Sequence, residues 1–515
     1  SDNDPRSHFQ REYSRLQPDQ RDALHRQITV SSGSSSRSSA SSVQLQEIGT
    51  QAIQQAPTRR DSAGRIERHE TAMERIETHR TQASNTVGAS LKSRTRTEGK
   101  PLPEFGAGKP YPPPLPAQEE YVVEFAGADD PLHGQNWPMK KKLIIGAVLA
   151  FDSLCATMGS SIFSPATRVI APIYGVSTEV TTLATSLFVL GYAFGPMIWA
   201  PMSELYGRKL PIVISAFGFG VFGIGVAVAK DLQTIIICRF FAGFFGSAPL
   251  ALVGAVFADI FSNEARGLAI AVFAATVFMG PFLAPFIGGF ITTSYLGWRW
   301  TSYLSAIMGF TGLILVVFFV EESYPPVILV AKGRELRRRT KNWGIHAKQD
   351  EVEVNFRELV SQNISRPFRI LFLEPIVLLV TIYLSFIYGL LYLFLTAYAL
   401  VFQGVYHFNP GISGLTYFGM IGGVAIGFCV LVYLDKGYKA KLRANNNIPV
   451  PEWRLPYVIG GGLAFAVGLF WFGWTGYTGE VHWIVPTLSG LSTGCGIYLV
   501  FVGLLNYLID AYLML

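Results

Sequence analysis

The sequence has little with which to do covalent chemistry. It carries no glycine-rich phosphate loop, no residues at metal-ligand spacing and no nucleophile elbow. This argues against an ATP-driven pump and against a membrane enzyme, and no cofactor is expected. Cysteine is scarce. Cys155, Cys238, Cys429 and Cys495 all fall inside apolar segments and read as small buried hydrophobes. Residues 1–40 lack an apolar core, so they do not read as a cleaved signal peptide.

What the chain does have is apolar length. Half of its 515 residues are hydrophobic although its first part is very polar. Several runs reach about 18 residues, enough to cross a hydrocarbon core about 30 Å thick. Ten spans are expected: 143–164, 179–200, 210–229, 232–257, 267–292, 301–320, 374–402, 411–434, 456–476 and 482–506. Basic residues alternate between the loops. Lys140–Lys142 precede the first span, Arg208 and Lys209 follow the second, and Arg266 follows the fourth. Lys332, Arg334, Arg337, Arg338, Arg339 and Lys341 fill the long loop after the sixth. Lys436, Lys439, Lys441 and Arg443 follow the eighth. Arg168, Lys230 and Arg299 are the exceptions. The positive-inside rule therefore places the N-terminus, the long middle loop and the C-terminus in the cytoplasm.

The chain divides by composition. Residues 1–100 form a Ser/Arg-rich tail, low-complexity at Ser31–Ser42 and read as disordered, with at most a thin helix over 64–82. Residues 101–142 form a proline-rich connector ending in an interfacial anchor of Trp137 and lysines. A six-span half over 143–320, a basic loop over 321–373 and a partial, four-span half over 374–515 follow. Transporters are commonly built from such halves, with the substrate site at the midplane between them. The sequon at Asn363 lies in the cytoplasmic loop and should be unmodified.

Few ionisable residues sit deep in the spans, and each is a functional candidate. Asp152 lies near the middle of the first span, where a carboxylate can exchange a proton, hold a cation or serve as a structural partner. Arg239 lies in the first half of the fourth span, with Gly243 one turn on. It could pair with Asp152, tune a nearby acid, or snorkel. Glu204, Gly207 and Arg208 at the end of the second span, with Asp259 at the end of the fourth, place charges that can pair in one conformation and release in another, or be ordinary solvated loop charge. In the fifth span Gly280, Ala284 and Gly288 stack on one face, with Pro281 and Pro285 at the same spacing and Gly289 beside them. That face is a hinge, a seam between moving parts, or plain close packing. Tyr388 and Tyr392 in the aromatic-rich seventh span are candidate cavity aromatics for flat or cationic substrates, or else they face lipid and neighbouring helices.

Glu204-Leu205-Tyr206-Gly207-Arg208-Lys209 resembles the loop 2–3 motif of the major facilitator superfamily, with Glu for the usual Asp and Leu205 where a basic residue is common. Arg239 with Gly243 is similar to that family's span-4 arginine motif, and Gly280-Pro281 through Gly288-Gly289 to its span-5 antiporter motif, with Ala284 where many members have Gly. Ser160–Ala166, Trp298-Arg299-Trp300, Glu322–Pro326 and Asn136-Trp137 resemble the fungal drug:proton antiporters of the multidrug and polyamine type. Over residues 101–515 the resemblance implies an all-α, major facilitator-type bundle of two six-helix halves, here truncated after the tenth of twelve spans. It also implies a multi-pass plasma-membrane or vacuolar protein and no enzyme. The partners implied are small amphipathic or cationic molecules, protons and lipid, not nucleic acid, and the chain is expected to be monomeric. Asp152 and Arg239 would carry the proton and substrate pathway, Glu204, Gly207, Arg208 and Asp259 the cytoplasmic gate, and the fifth span the hinge. A nutrient symporter and a non-transporting sensor are the alternatives.

Overall fold

The computed structural model describes residues 121–127, 129–350, 365, 368–445 and 450–512. The tail, the proline-rich part of the connector, and Asn363 and Ile364 of the sequon lie outside the described residues.

All ten apolar runs are helical and long enough to cross a membrane. The first starts behind Pro138 as α1 (Met139–Ser161). It stops there because Pro165 has no N–H to offer the Ser161 carbonyl. A 3-10 turn, Ser164–Ala166, leads into α2 (Thr167–Tyr174), which ends on Gly175 with φ 64°. Next come α3 (Thr178–Tyr206), α4 (Lys209–Val228), α5 (Leu232–Ile260), α6 (Asn263–Thr293) and α7 (Arg299–Phe319). Asp231 caps α5 by accepting from Thr234 N at 2.8 Å. The middle loop contains α8 (Pro325–Thr340), with proline in its first turn and Arg337, Arg338 and Arg339 in its last, where cations suit the helix dipole. After it come α9 (Pro375–Tyr398), continued by a π-helical stretch at Ala399–Val405, then α10 (Pro410–Leu415), α11 (Phe418–Ala444), α12 (Leu455–Gly476) and α13 (Ile484–Tyr512). Among the described residues there is no strand; Val122 and His346 form an isolated parallel bridge.

Among the first six spans, α5 packs on α3 and α4, α4 on α7, and α1 on α6 and α7. Among the last four, α13 packs on α12 and α11. The two groups meet chiefly where α6 lies against α10 and α11. Large apolar side chains such as Leu379, Phe386, Leu463, Phe470 and Trp474 stand exposed on the outside of the bundle. Surface of that kind suits lipid and not water.

The connector is part of the bundle. Val123 N donates to His346 O (2.9 Å) and His346 N to Tyr121 O (3.0 Å), which stitches the chain before α1 to the chain after α8. Asp130, 4% exposed, accepts from the backbone N–H groups of Ala126 and Leu132 and lies 3.5 Å from Lys332 Nζ of α8. Trp137 sits in the core with Ile260 and Phe261, under the Lys141 ammonium, 4.0 Å from its ring centroid.

Candidate functional site

Three charged side chains of the first six spans are buried among the described residues: Lys142 at the start of α1, which donates to the Gln135 carbonyl at 2.7 Å, and, deeper in the spans, Asp152 and Arg239. Asp152 on α1 is 4% exposed, and its Oδ2 has no hydrogen-bond partner among the described residues. Across from it α7 presents Gly312, where a Cβ would stand 2.9 Å from Oδ1. Arg239 on α5 is equally buried, yet it neither pairs with Asp152 nor snorkels. Its Nη1 donates to the Gly159 carbonyl (2.7 Å), Nη2 to that of Ser160 (2.9 Å) and Nε to that of Ala184 (3.1 Å). The rings of Phe163 and Phe188 lie 4.9 and 4.5 Å from the guanidinium.

The cause is the break in the first span. A helix that stops leaves its last carbonyls without intrahelical donors and carries the negative end of its dipole there. Arg239 satisfies two of those carbonyls at the end of α1. Gly243, one turn along α5, lets α3 approach so closely that the Phe188 carbonyl occupies the place of a Cβ. The expectation of a pair between Arg239 and Asp152 is thereby corrected: the arginine is taken by backbone.

Ser160 joins this region to the last four spans through a 2.8 Å contact between its Oγ and the Tyr392 hydroxyl on α9. Tyr388 and Tyr392 are both half-buried, with ring centroids 5.4 Å apart, and Tyr388 lies 6.1 Å from Phe501. Of the other seventh-span aromatics, Tyr383 and Phe386 are exposed on the bundle surface, while Phe394 and Tyr398 lie in the core around α13.

At the end of the bundle that carries the basic loops, Arg208 Nε meets Asp259 Oδ2 at 3.2 Å and Nη1 donates to Ser203 Oγ at 2.7 Å. Its guanidinium lies 4.6 Å from the Tyr324 ring centroid. Gly207 has φ 91°, a conformation open to glycine, and an added Cβ would run into the Glu322 carboxylate. Glu204 is half-buried one turn earlier, and its carbonyl accepts from Gln349 Nε2 at 3.4 Å.

Sequence reasoning cited Glu322 within a motif but gave it no place in the site. Its carboxylate accepts from the backbone N–H groups of Arg208 (2.8 Å), Lys209 (3.0 Å) and Tyr324 (2.9 Å), so it caps α4 from the far end of the six-span set. The available signal was an acidic pair, Glu321-Glu322, directly after a span. A second buried pair was also missed: Arg454 Nε meets Asp510 Oδ2 at 2.9 Å, with Tyr438 OH donating to the same oxygen at 3.0 Å.

The fifth-span motif has two working faces. α6 runs unbroken through Pro281 and Pro285, both buried. Gly280 and Gly288 lie against α1 and its end, where added Cβ atoms would meet Thr157 and the Ile162 carbonyl, and Ala284 packs with Met158 and Ile162. The small-residue stripe thus joins two of the first six spans to each other. The contact with the last four spans falls on the neighbouring face: Gly289 against Pro410, and Pro285 and Phe286 against Gly414. Among the described residues no group of His, Cys, Asp and Glu could hold a metal ion.

A bundle of spans with one buried unpaired carboxylate, an arginine capping a broken helix, and ion-paired loop ends suits the passage of solutes. The comparisons agree. A family model described as Major Facilitator Superfamily matches residues 149–513. The major facilitator superfamily multidrug transporter FLU1 of Candida albicans is 47% identical over 427 residues, covering 82% of this chain and 70% of that protein. Multidrug transporter TPO1_2 of Candida glabrata is 47% identical over 414 residues, covering 80% and 71%. In fold, the xylose transporter XylE from E. coli in a partially occluded inward-open conformation is similar, with a TM-score of 0.50 at 18% identity over 72% of this chain and 88% of that one. The sequence match and the shared bundle lead to one assignment: the chain belongs to the major facilitator superfamily.

Proposed function

We propose that this protein is a proton-coupled antiporter that exports small amphipathic or cationic compounds from a fungal cell by alternating access; it is a transporter and not an enzyme. The observation that carries the reading is Asp152: a carboxylate 4% exposed, with Oδ2 unpartnered among the described residues, in a chain 47% identical to proteins named as multidrug transporters. A group so placed is suited to exchanging a proton for a cation. In this reading the spans before α8 form one half and those after it the other, and the halves rock about a midplane site near Asp152, Tyr388 and Tyr392. Arg239 tunes that site by fixing the end of α1. Arg208, Asp259, Gly207 and Glu204 hold the cytoplasmic side, and α6 forms a seam through its Pro285–Gly289 face. The alternating basic loops support a cytoplasmic N-terminus and middle loop. We place the protein in the plasma membrane, with the vacuolar membrane as the alternative, as a monomer.

The test is efflux of a fluorescent cation and of spermine from a fungal strain stripped of its own exporters and expressing the full-length protein. Efflux that requires a proton gradient and is lost in Asp152→Asn is the expected result. Accumulation in place of efflux would make the protein an uptake symporter. Normal pH-dependent efflux by Asp152→Asn would move the proton to another residue.

A further inference from the structure

We propose that Ser160 and Tyr392 form a clasp that holds the end of the bundle remote from the basic loops shut, with Arg239 as its positioning residue. The clasp rests on the alternating-access reading above in requiring that this end opens.

The Ser160 hydroxyl sits between two partners, the Thr157 carbonyl at 2.7 Å and the Tyr392 hydroxyl at 2.8 Å. With its one O–H donated to the Thr157 carbonyl, it accepts from Tyr392; turned toward α9, it donates to Tyr392. Either way the contact is one hydrogen bond between α1 and α9. Ser160 Oγ also faces Ser161 Oγ at 3.1 Å. Ser160 is fully buried, so the Tyr392 hydroxyl partners a group that water does not reach. The Ser160 carbonyl is bound at the same time by Arg239 Nη2. Arg239 thus fixes the last turn of α1 at both Gly159 and Ser160, and the serine hydroxyl is presented to α9 from a braced position.

The surroundings support a closing role. Beyond the clasp, toward the remote end, the two groups of spans touch through backbone at Gly289 and Pro410 and at Gly414 and Phe286, and Arg168 Nη1 donates to Gln403 Oε1 at 3.0 Å. Both helices that carry the clasp also leave regular α geometry just beyond it. α1 ends at Ser161 before the Ser164–Ala166 turn, and α9 passes into the π-helical stretch Ala399–Val405. Bending concentrates at such changes of backbone hydrogen bonding. A clasp at the first of these bending points and about two helical turns short of the second controls whether their outer segments swing apart. In the clasped state the Tyr392 hydroxyl is taken by Ser160; opening frees it to face the cavity.

The experiment uses Ser413→Cys as a reporter. Ser413 is 2% exposed, on α10 in the remote seam and outside the clasp. The full-length protein carrying it is labelled on intact cells with a membrane-impermeant thiol reagent, scored per molecule at the cell surface, with the unsubstituted chain as background. Tyr392→Phe keeps the ring and Ser160→Ala keeps the volume, so each removes little beyond the hydrogen bond. Each is expected to raise the labelling rate about fivefold, the effect of one hydrogen bond, and the double variant no further. Arg239→Lys, which cannot serve three carbonyls, should raise labelling too, and adding Tyr392→Phe to it should change nothing more. Unchanged labelling in both single variants, or additive effects in the double, would overturn the clasp. Labelling needs no transport. Faster labelling in a chain that shows no gradient-driven efflux supports the clasp and sinks the exporter reading. Gradient-driven efflux with unchanged labelling does the reverse.

Discussion

Arg454 stands to Asp510 as Arg208 stands to Asp259. Arg454 precedes the ninth span and reaches the last turn of the tenth at 2.9 Å; Arg208 precedes the third and reaches the last turn of the fourth at 3.2 Å. Each guanidinium lies over a tyrosine, Tyr438 at 3.6 Å and Tyr324 at 4.6 Å from the ring centroid. All four charged side chains are 10–15% exposed. The same device is built twice, once in each group of spans.

Removing one acid from either pair leaves a half-buried arginine without its partner. Asp259→Asn and Asp510→Asn are each expected to cost about 3 kcal/mol. Because the pairs share no partner, the double variant should cost their sum. Thermal unfolding in detergent measures this, and a double variant no worse than the singles would mean that the two pairs act as one unit.

Close packing along α6 predicts a sharp contrast between glycines. In Gly288→Val the new side chain meets the Ile162 carbonyl, and both folded yield and transport should fall. Gly254→Ala on α5 meets nothing within 4 Å and should be neutral or stabilising by up to about 1 kcal/mol. Fluorescence-detected size-exclusion of the two variants reads the difference directly; equal yields would remove the packing argument.

The connector should come loose in acid. The Ala126 and Leu132 N–H groups, and then Lys332, hold the Asp130 carboxyl below its ordinary value. A lowered folded value means that Asp130 stabilises the docked connector at all pH values above the ordinary carboxylate range. That contribution is lost as the pH falls through the lowered value. Cleavage of the connector by an acid-active protease should therefore rise only at strongly acid pH in the parent chain. In Asp130→Asn it should be high at every pH, and pH-independent protection of that variant would contradict the assignment.

Truncation separates tail from connector. Deleting residues 1–100 leaves in place every contact described above for the bundle, and efflux should persist. Extending the deletion to residue 137 removes the pairing with His346, the Asp130 site and the buried Trp137, and should lower the melting temperature and efflux together. A truncation to residue 137 that behaves like the shorter one would show that the connector is dispensable.

The span layout was legible because apolar length is a local property; each of the ten runs became a helix, although the eighth runs to Ala444, ten residues past its expected limit, and the second to Tyr206, six past. The break after Ser161 was written in Pro165 but hidden inside a continuous apolar run. α8 was overlooked within a loop read by its charge, although Pro325-Pro326 and the basic last turn mark a helix start and end. The docking of the connector was not legible, since it depends on residues about two hundred positions apart, such as Val123 with His346 and Asp130 with Lys332. Arg239 was found by its rarity in a span, but its partners could not be, because backbone carbonyls carry no sequence signature.

That choice of partners has an electrical consequence. Carbonyl dipoles orient a guanidinium without cancelling its charge, so among the described residues Arg239 keeps a full positive charge in the interior of the first six spans. Asp152 is the buried acid available to balance it. With Asp152 ionised, the interior is neutral and a cation can enter at modest electrostatic cost. With Asp152 protonated, the interior carries a net positive charge and a cation is repelled. In the proposed exporter, with Asp152 as the proton carrier, proton and cation would thereby exclude one another by charge balance across the bundle, without having to touch the same atom.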